Sequence, residues 1–249
     1  MKKGIALVFI VILTIQTGIG QSLQQRLDAA AKEAGDKLKN PSGSKALSND
    51  DVIKGLKEAL TVGTNNSTSL ASKVDGYYKN PLLFIPFPPE AQKIKEKADE
   101  FGMKEQTDKF VETLNRAAEE AAKNAAPVFV DAVKGMNISD GFAILKGADN
   151  AATQYLKDKT TTELRNKFTP VVQAAIDKVE LTKYWNPIII TYNKIPFVEK
   201  QNPDLTAYVT DKAMAGLFIL IANEELKIRK DPAAQVTDIL KKVFGNISK

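Results

Sequence analysis

Cysteine and histidine are both missing from this 249-residue chain. Their absence excludes disulfides, thiol nucleophiles, imidazole bases and every metal site built on sulfur or imidazole ligands. The Ser-His-Asp and Cys-His arrangements of nucleophilic catalysis go with them. Tryptophan occurs once, at Trp185. Neither familiar glycine-rich phosphate loop is present, and the acidic residues lack the spacing of a calcium loop. The residue types therefore name no catalytic residue, no cofactor and no metal, and the chain reads as leaning away from an enzyme.

The first twenty residues carry the clearest signal. Lys2 and Lys3 are followed by an apolar run from Ile5 to Ile15, and then by Gly18, Ile19 and Gly20. A short apolar run between a basic start and small residues is the pattern of a secretory signal peptide. The run falls short of the about 20 residues that a comfortable membrane span needs. Residues 1–20 are thus expected to direct export to the periplasm, with cleavage after Gly20 and no integral span left afterwards. Without cysteine, a lipoprotein anchor is not expected. Without Lys2 and Lys3, the net charge falls from +5 to +3, and basic and acidic residues are mixed throughout. That is a poor electrostatic footprint for nucleic acid, so none is expected as a partner.

Helical spacing dominates the rest. Residues 21–47 read as an N-terminal helix and linker, possible as a loosely packed arm, and 48–249 as a single all-helical domain. Ser48 or Asn49 caps a helix whose apolar face is Val52, Ile53, Leu56, Ala59 and Leu60, with Gly63 to Ser69 expected to weaken it. Met103 to Asn124 carries the stripe Phe110, Leu114, Ala117 and Ala121. Pro127 opens the next helix, and Ser139 or Asn137 caps another. Thr160 and Pro170 are expected to divide the stretch from Ala148 to Val179 into three helices. Tyr184 to Phe197 reads as helix ending before Pro196. Asp204 caps a long helix to about Arg229, and Asp231 with Pro232 opens the last one. The fold expected is all-α, an irregular multi-helical globule of about eight to ten helices.

Tyr77 to Pro89 stands apart. Four prolines bar a regular helix there, yet the segment carries Leu82, Leu83, Phe84, Ile85 and Phe87. It reads as an extended proline-rich segment pinned across the helical core. The sharper alternative is a docking lip or pocket flap, with Tyr77, Tyr78, Phe84 and Phe87 as its residues.

Periodicity also exposes charges in apolar surroundings. Glu224 shares a stripe with Leu220, Ile221 and Ile228. Asn115 shares a row with Val111, Ala118 and Ala122, and Glu119 lies four residues on. Arg116, Glu225 and Arg229 flank these rows. A carboxylate stripped of water must be paired or protonated, and a guanidinium offers five donors for the pairing. The expectation is one internal network joining Asn115, Arg116, Glu119, Glu224, Glu225 and Arg229. It would fix helix register, or line a cavity for a polar ligand, or let two carboxylates share a proton in acid–base catalysis.

Several stretches together carry a resemblance. They include Gly55 to Leu60, Tyr77 to Pro89, Leu114-Asn115-Arg116-Ala117-Ala118-Glu119, Ala151-Ala152-Thr153 and Gly216-Leu217-Phe218. Glu224-Glu225 and Ile228-Arg229 complete the pattern. The chain resembles the bacterial exported family called domain of unknown function 4197. The resemblance implies an exported protein of a Gram-negative bacterium, and it brings no activity or site residue. Three functions stay open: a non-enzymatic binder of an envelope protein or small polar ligand, a carboxylate-dependent cell-envelope hydrolase, and a purely structural or self-associating envelope protein. The sequence leaves the oligomeric state undetermined.

Overall fold

Helix α1 (Asn49–Ala71) begins where Ser48 accepts from the Asp51 amide while Asp51 accepts from the Ser48 amide, a reciprocal cap. In the computed structural model, residues 47–198 and 204–245 are described. The expected export segment, residues 1–20, and the expected N-terminal helix lie outside them. Among the described residues, eight further α-helices follow: α2 (Gln92–Glu100), α3 (Lys104–Ala122), α4 (Ala125–Gly135), α5 (Gly141–Leu145), α6 (Ala151–Lys178), α7 (Leu181–Tyr192), α8 (Thr206–Lys230) and α9 (Asp238–Phe244). No strand occurs among the described residues. None of their helices is long and apolar enough to cross a membrane.

The helices α1 and α8 form the central pair. Helix α6 packs on α8 and α3 on α6; α4, α5 and α9 close over α1, while α7 and α2 cover α3. Two aromatic groups mark the core. Trp185 of α7 stacks on Phe110 of α3 at 4.6 Å, with Phe87 edge-on to both. Phe129, Phe168 and Phe218 join α4, α6 and α8. Such pairs add about 0.5–1.5 kcal/mol each beyond the area they bury.

Local signals and tertiary packing disagree at several points. Helix α1 does not weaken at Gly63 but runs on to Ala71. A Cβ at Gly63 would lie 3.3 Å from that of Glu224, so the small residue admits α8 closely. Packing on α8 then outweighs the poor propensity of Asn65, Asn66 and Ser67. The three helices expected between Ala148 and Val179 are one, α6. Thr160 bonds back to the Leu156 carbonyl instead of capping a new helix. Pro170 removes one donor, but it and Asn166 are exposed, so the freed carbonyl meets water. Pro187 is likewise exposed inside α7, which stops at Tyr192. Asp140, not Ser139 or Asn137, caps α5. Asp231 caps a 3-10 turn over Pro232–Ala234, and Thr237 caps α9, leaving Val236 exposed.

Candidate functional site

The polar residues that sequence singles out fall into two clusters, each fastening a piece of backbone. The first sits on α3. Between α1 and α2 the chain runs through turns and then an irregular stretch from Phe84 to Pro88. Glu119 is 4 % exposed, and one of its oxygens accepts the amides of Tyr77 and Tyr78, both at 3.1 Å. Its other oxygen accepts Arg116 at 2.8 Å, and Arg116 reaches on to Asp75 at 2.8 Å. Lys79 and then Arg116 hold the Asp75 carboxyl below its ordinary value. The guanidinium also lies 5.2 Å from the centre of the Tyr78 ring.

Asn115 completes this clamp. Its carbonyl accepts the Ile85 amide, and its NH2 donates to the Ile85 and Val111 carbonyls, all at 2.8 Å. A side-chain amide thus pairs with both polar groups of one residue, as a neighbouring strand would. Three of its four bonding positions are filled. The result is alternation: Leu83, Ile85 and Phe87 point into the core, while Leu82, Phe84 and Pro86 face outward.

Tyr77 does not belong to a surface lip. It is fully buried, and its hydroxyl donates to the Ala213 carbonyl of α8 at 2.8 Å. Burial first, and then the charge of Glu119, push the phenol above its ordinary value, so it stays a neutral donor. Gly216 leaves the space for it. A Cβ there would come 2.8 Å from the Tyr77 ring and 3.0 Å from its oxygen.

The second cluster sits on α8. Glu225 is 1 % exposed and accepts the amides of Ala152 and Thr153, the Thr153 hydroxyl and two nitrogens of Arg229. Arg229 donates onward to the carbonyls of Leu145 and Ile144. The N-cap residue of α6, Asn150, makes no side-chain cap. Glu225 therefore supplies from another helix the anion that the first turn of α6 needs. Arg229 supplies the cation for the last carbonyls of α5.

The expected single network is thus corrected to two. Helices α3 and α8 do pack together. Yet Glu119 bonds the loop before α2, and Glu225 bonds the start of α6. Glu224 is not the sheltered member. It is partly exposed and bonds Asn66 and Lys227. Both glutamates lie three or four residues from Ile221 and Ile228, and it is Glu225, 1 % exposed, that faces inward with them. Other polar side chains are engaged locally. Asp140 caps α5, Tyr155 bonds the Asn137 carbonyl, and Thr210 bonds back along α8.

These carboxylates are occupied. Glu119 and Glu225 would have to release backbone amides and a guanidinium before touching a substrate. Among the described residues, no group of three or more Asp or Glu is placed to hold a metal ion. Several hollows open on the surface: one of about 370 Å³ is lined in part by Arg116 and Glu119, and one of about 680 Å³ lies beside the fastened segment at Tyr78 and Phe84. Tyr78, Phe84, Pro86, Phe87, Gln92, Lys95, Asp108 and Val111 are among the residues lining the 680 Å³ hollow. The Tyr78 and Phe84 rings lie 6.3 Å apart, and Phe84 is 42 % exposed. The Tyr208 hydroxyl fixes the Pro86 carbonyl at 3.0 Å, and Gln92 fixes that of Phe87. Of the four aromatic residues expected in a lip, Tyr78, Phe84 and Phe87 line the hollow, and Tyr77 is core. Sequence reasoning missed Asp108 and Lys95. They are charged positions on helices, Asp108 exposed and Lys95 half-buried, with no other unusual feature.

A family model described as "Protein of unknown function (DUF4197)" matches residues 46–245. No curated protein and no solved structure matches the chain.

Proposed function

We propose that this chain, which belongs to the DUF4197 family, is a non-enzymatic binding protein exported to the periplasm of a Gram-negative bacterium, with the Tyr78–Phe84 hollow as its binding surface. Export rests on the pattern of residues 1–20. The binding surface rests on one contrast. The backbone at Tyr77, Tyr78, Ile85 and Pro86 is fastened by three side chains, Glu119, Asn115 and Tyr208, while Phe84 between them keeps its ring in the open beside Tyr78. Aromatic side chains on a rigidly held non-helical segment make an effective recognition surface, because little conformational freedom is lost on binding. The hollow is within the size range of ligand sites and mixes apolar walls with a few polar groups.

Native mass spectrometry of the full chain, expressed with its N-terminal segment and purified from the periplasmic fraction, tests the reading. The expected result is a mature N-terminus at Gln21 and a stoichiometric adduct or bound partner. The adduct is lost in Phe84→Ser and kept in Val236→Ser, a substitution of an exposed residue outside the hollow. Retention in the cytoplasm would refute export. An adduct indifferent to Phe84, or none at all, would refute the binding surface.

A further inference from the structure

The hollow does not stand alone. A second hollow shares Tyr78 and Asp108 with it, and a third shares Lys109 and Tyr184 with the second. Together they follow the outer face of α3. From Asp108 to Lys123 the floor spans fifteen residue steps of helix, about 22 Å at 1.5 Å per residue. Residues of the segment between α1 and α2, from Val74 to Phe84, line these hollows beside α3, as do Val179 and Tyr184.

Resting on the reading above, we propose that this trough takes an extended polypeptide segment of six or seven residues, carrying both signs of charge between two apolar side chains. Length supports a polymer, since about 3.3 Å per residue makes such a segment match the floor. Charge selects which polymer. Six cationic and five acidic side chains line the trough, so it is close to neutral. A nucleic acid needs a clear cationic excess to displace its counterions. An acyl chain needs an unbroken apolar wall, and ion pairs interrupt this one. Lys104–Asp108, Lys109–Glu112 and Lys123–Glu120 lie at intervals along the floor. Lys104 and Asp108 are both exposed, and Lys109 and Lys123 are the exposed members of their pairs, so an incoming segment of mixed charge exchanges partners with these side chains at little cost. The two ends supply the anchors. Phe84 is 42 % exposed in the first hollow, and Val74 is 80 % exposed in the third.

Random heptapeptides displayed on phage, panned against the full chain, provide the probe. Selected peptides are resynthesised and titrated by fluorescence anisotropy. The proposal expects peptides with both charge signs, and affinity at least tenfold weaker for Phe84→Ser, for Val74→Asp and for Lys109→Glu. All three side chains are exposed, and an unchanged urea midpoint verifies that each variant folds. Peptides sensitive to Phe84→Ser but indifferent to Val74→Asp and Lys109→Glu overturn the trough and leave the hollow as a site for a smaller ligand. No selected peptide overturns the trough too, and the adduct experiment then decides the hollow separately. Peptides indifferent to all three substitutions, with no Phe84-dependent adduct, overturn both.

Discussion

Replacing Glu119 with alanine tests the clamp at its most loaded point. The substitution removes the acceptor of two amides and one of the carboxylates facing Arg116. The Tyr77 amide is buried, whereas that of Tyr78 is only partly so. An orphaned buried donor costs about 1–3 kcal/mol. Arg116 keeps Asp75, which limits the further penalty for its charge. The total expected is about 3–5 kcal/mol, in the range for breaking one member of a buried pair. For a domain of this size that lowers Tm by roughly 6–20 °C. Glu119→Gln keeps one oxygen for the amides but turns an NH2 towards a guanidinium. It should lose about 1.5–3 kcal/mol, the worth of hydrogen bonds to a charged group. Urea unfolding followed by circular dichroism gives both values. Native-state hydrogen exchange localises them: Tyr77 and Tyr78 amides lose protection in the alanine variant, and Ala152 and Thr153 amides keep theirs. An alanine variant within about 1 kcal/mol of the parent, or with both tyrosine amides still protected, would refute the assignment of Glu119 as the clamp.

Other substitutions probe separate contacts. Asn115→Asp leaves a carboxylate facing the Ile85 and Val111 carbonyls, so it should lose at least about 3 kcal/mol at pH 7. Part of that loss returns in acid, where the protonated carboxyl donates again, and urea midpoints at pH 7 and pH 4 check it. Gly216→Ala should cost about 1–3 kcal/mol by overpacking against Tyr77. Tyr77→Phe should cost about 1 kcal/mol, and a double-mutant cycle should find the two non-additive. Asp51 is held at about 2, against an ordinary 3.8, first by Lys242 and then by Ser48. A lowered carboxyl contributes stability above its unfolded value and loses it as the pH falls towards the folded one. The difference in urea midpoint between parent and Asp51→Asn should therefore be steady above pH 4 and shrink towards pH 2.

The helical pattern made most of the architecture legible. Val52, Ile53, Leu56, Ala59 and Leu60 read as one buried face, and so do Phe110, Leu114, Ala117 and Ala121; all are buried but Ile53, which is half-buried. Punctuation was the less legible part. Thr160 and Pro170 look like breaks, but a helix packed along its length on α8 and α3 tolerates one missing bond on its wet side. For the candidate site, Asn115, Arg116 and Glu119 were visible because polar residues stood in apolar rows. Which of Glu224 and Glu225 turns inward was not visible. Helix α8 is central and buried around much of its circumference, so its apolar stripe is too wide to give a sharp direction. The partners of these residues were hidden for a different reason. They are backbone amides and carbonyls of Tyr77, Ile85, Leu145 and Ala152, and backbone groups carry no signature in a side-chain pattern.

The capping of α6 by Glu225 also sets a condition on synthesis. The first turn of α6 waits for a carboxylate that leaves the ribosome 73 residues after Ala152. Until then, Ala152 and Thr153 have only water for their amides, and the α5–α6 junction stays frayed. In stalled nascent chains lacking residues 1–20, those whose emerged part ends before Thr206 should accordingly be cut by protease near Asn150, and those whose emerged part extends past Lys230 should resist. Completion of the middle of this molecule is thus reserved for the arrival of its penultimate helix.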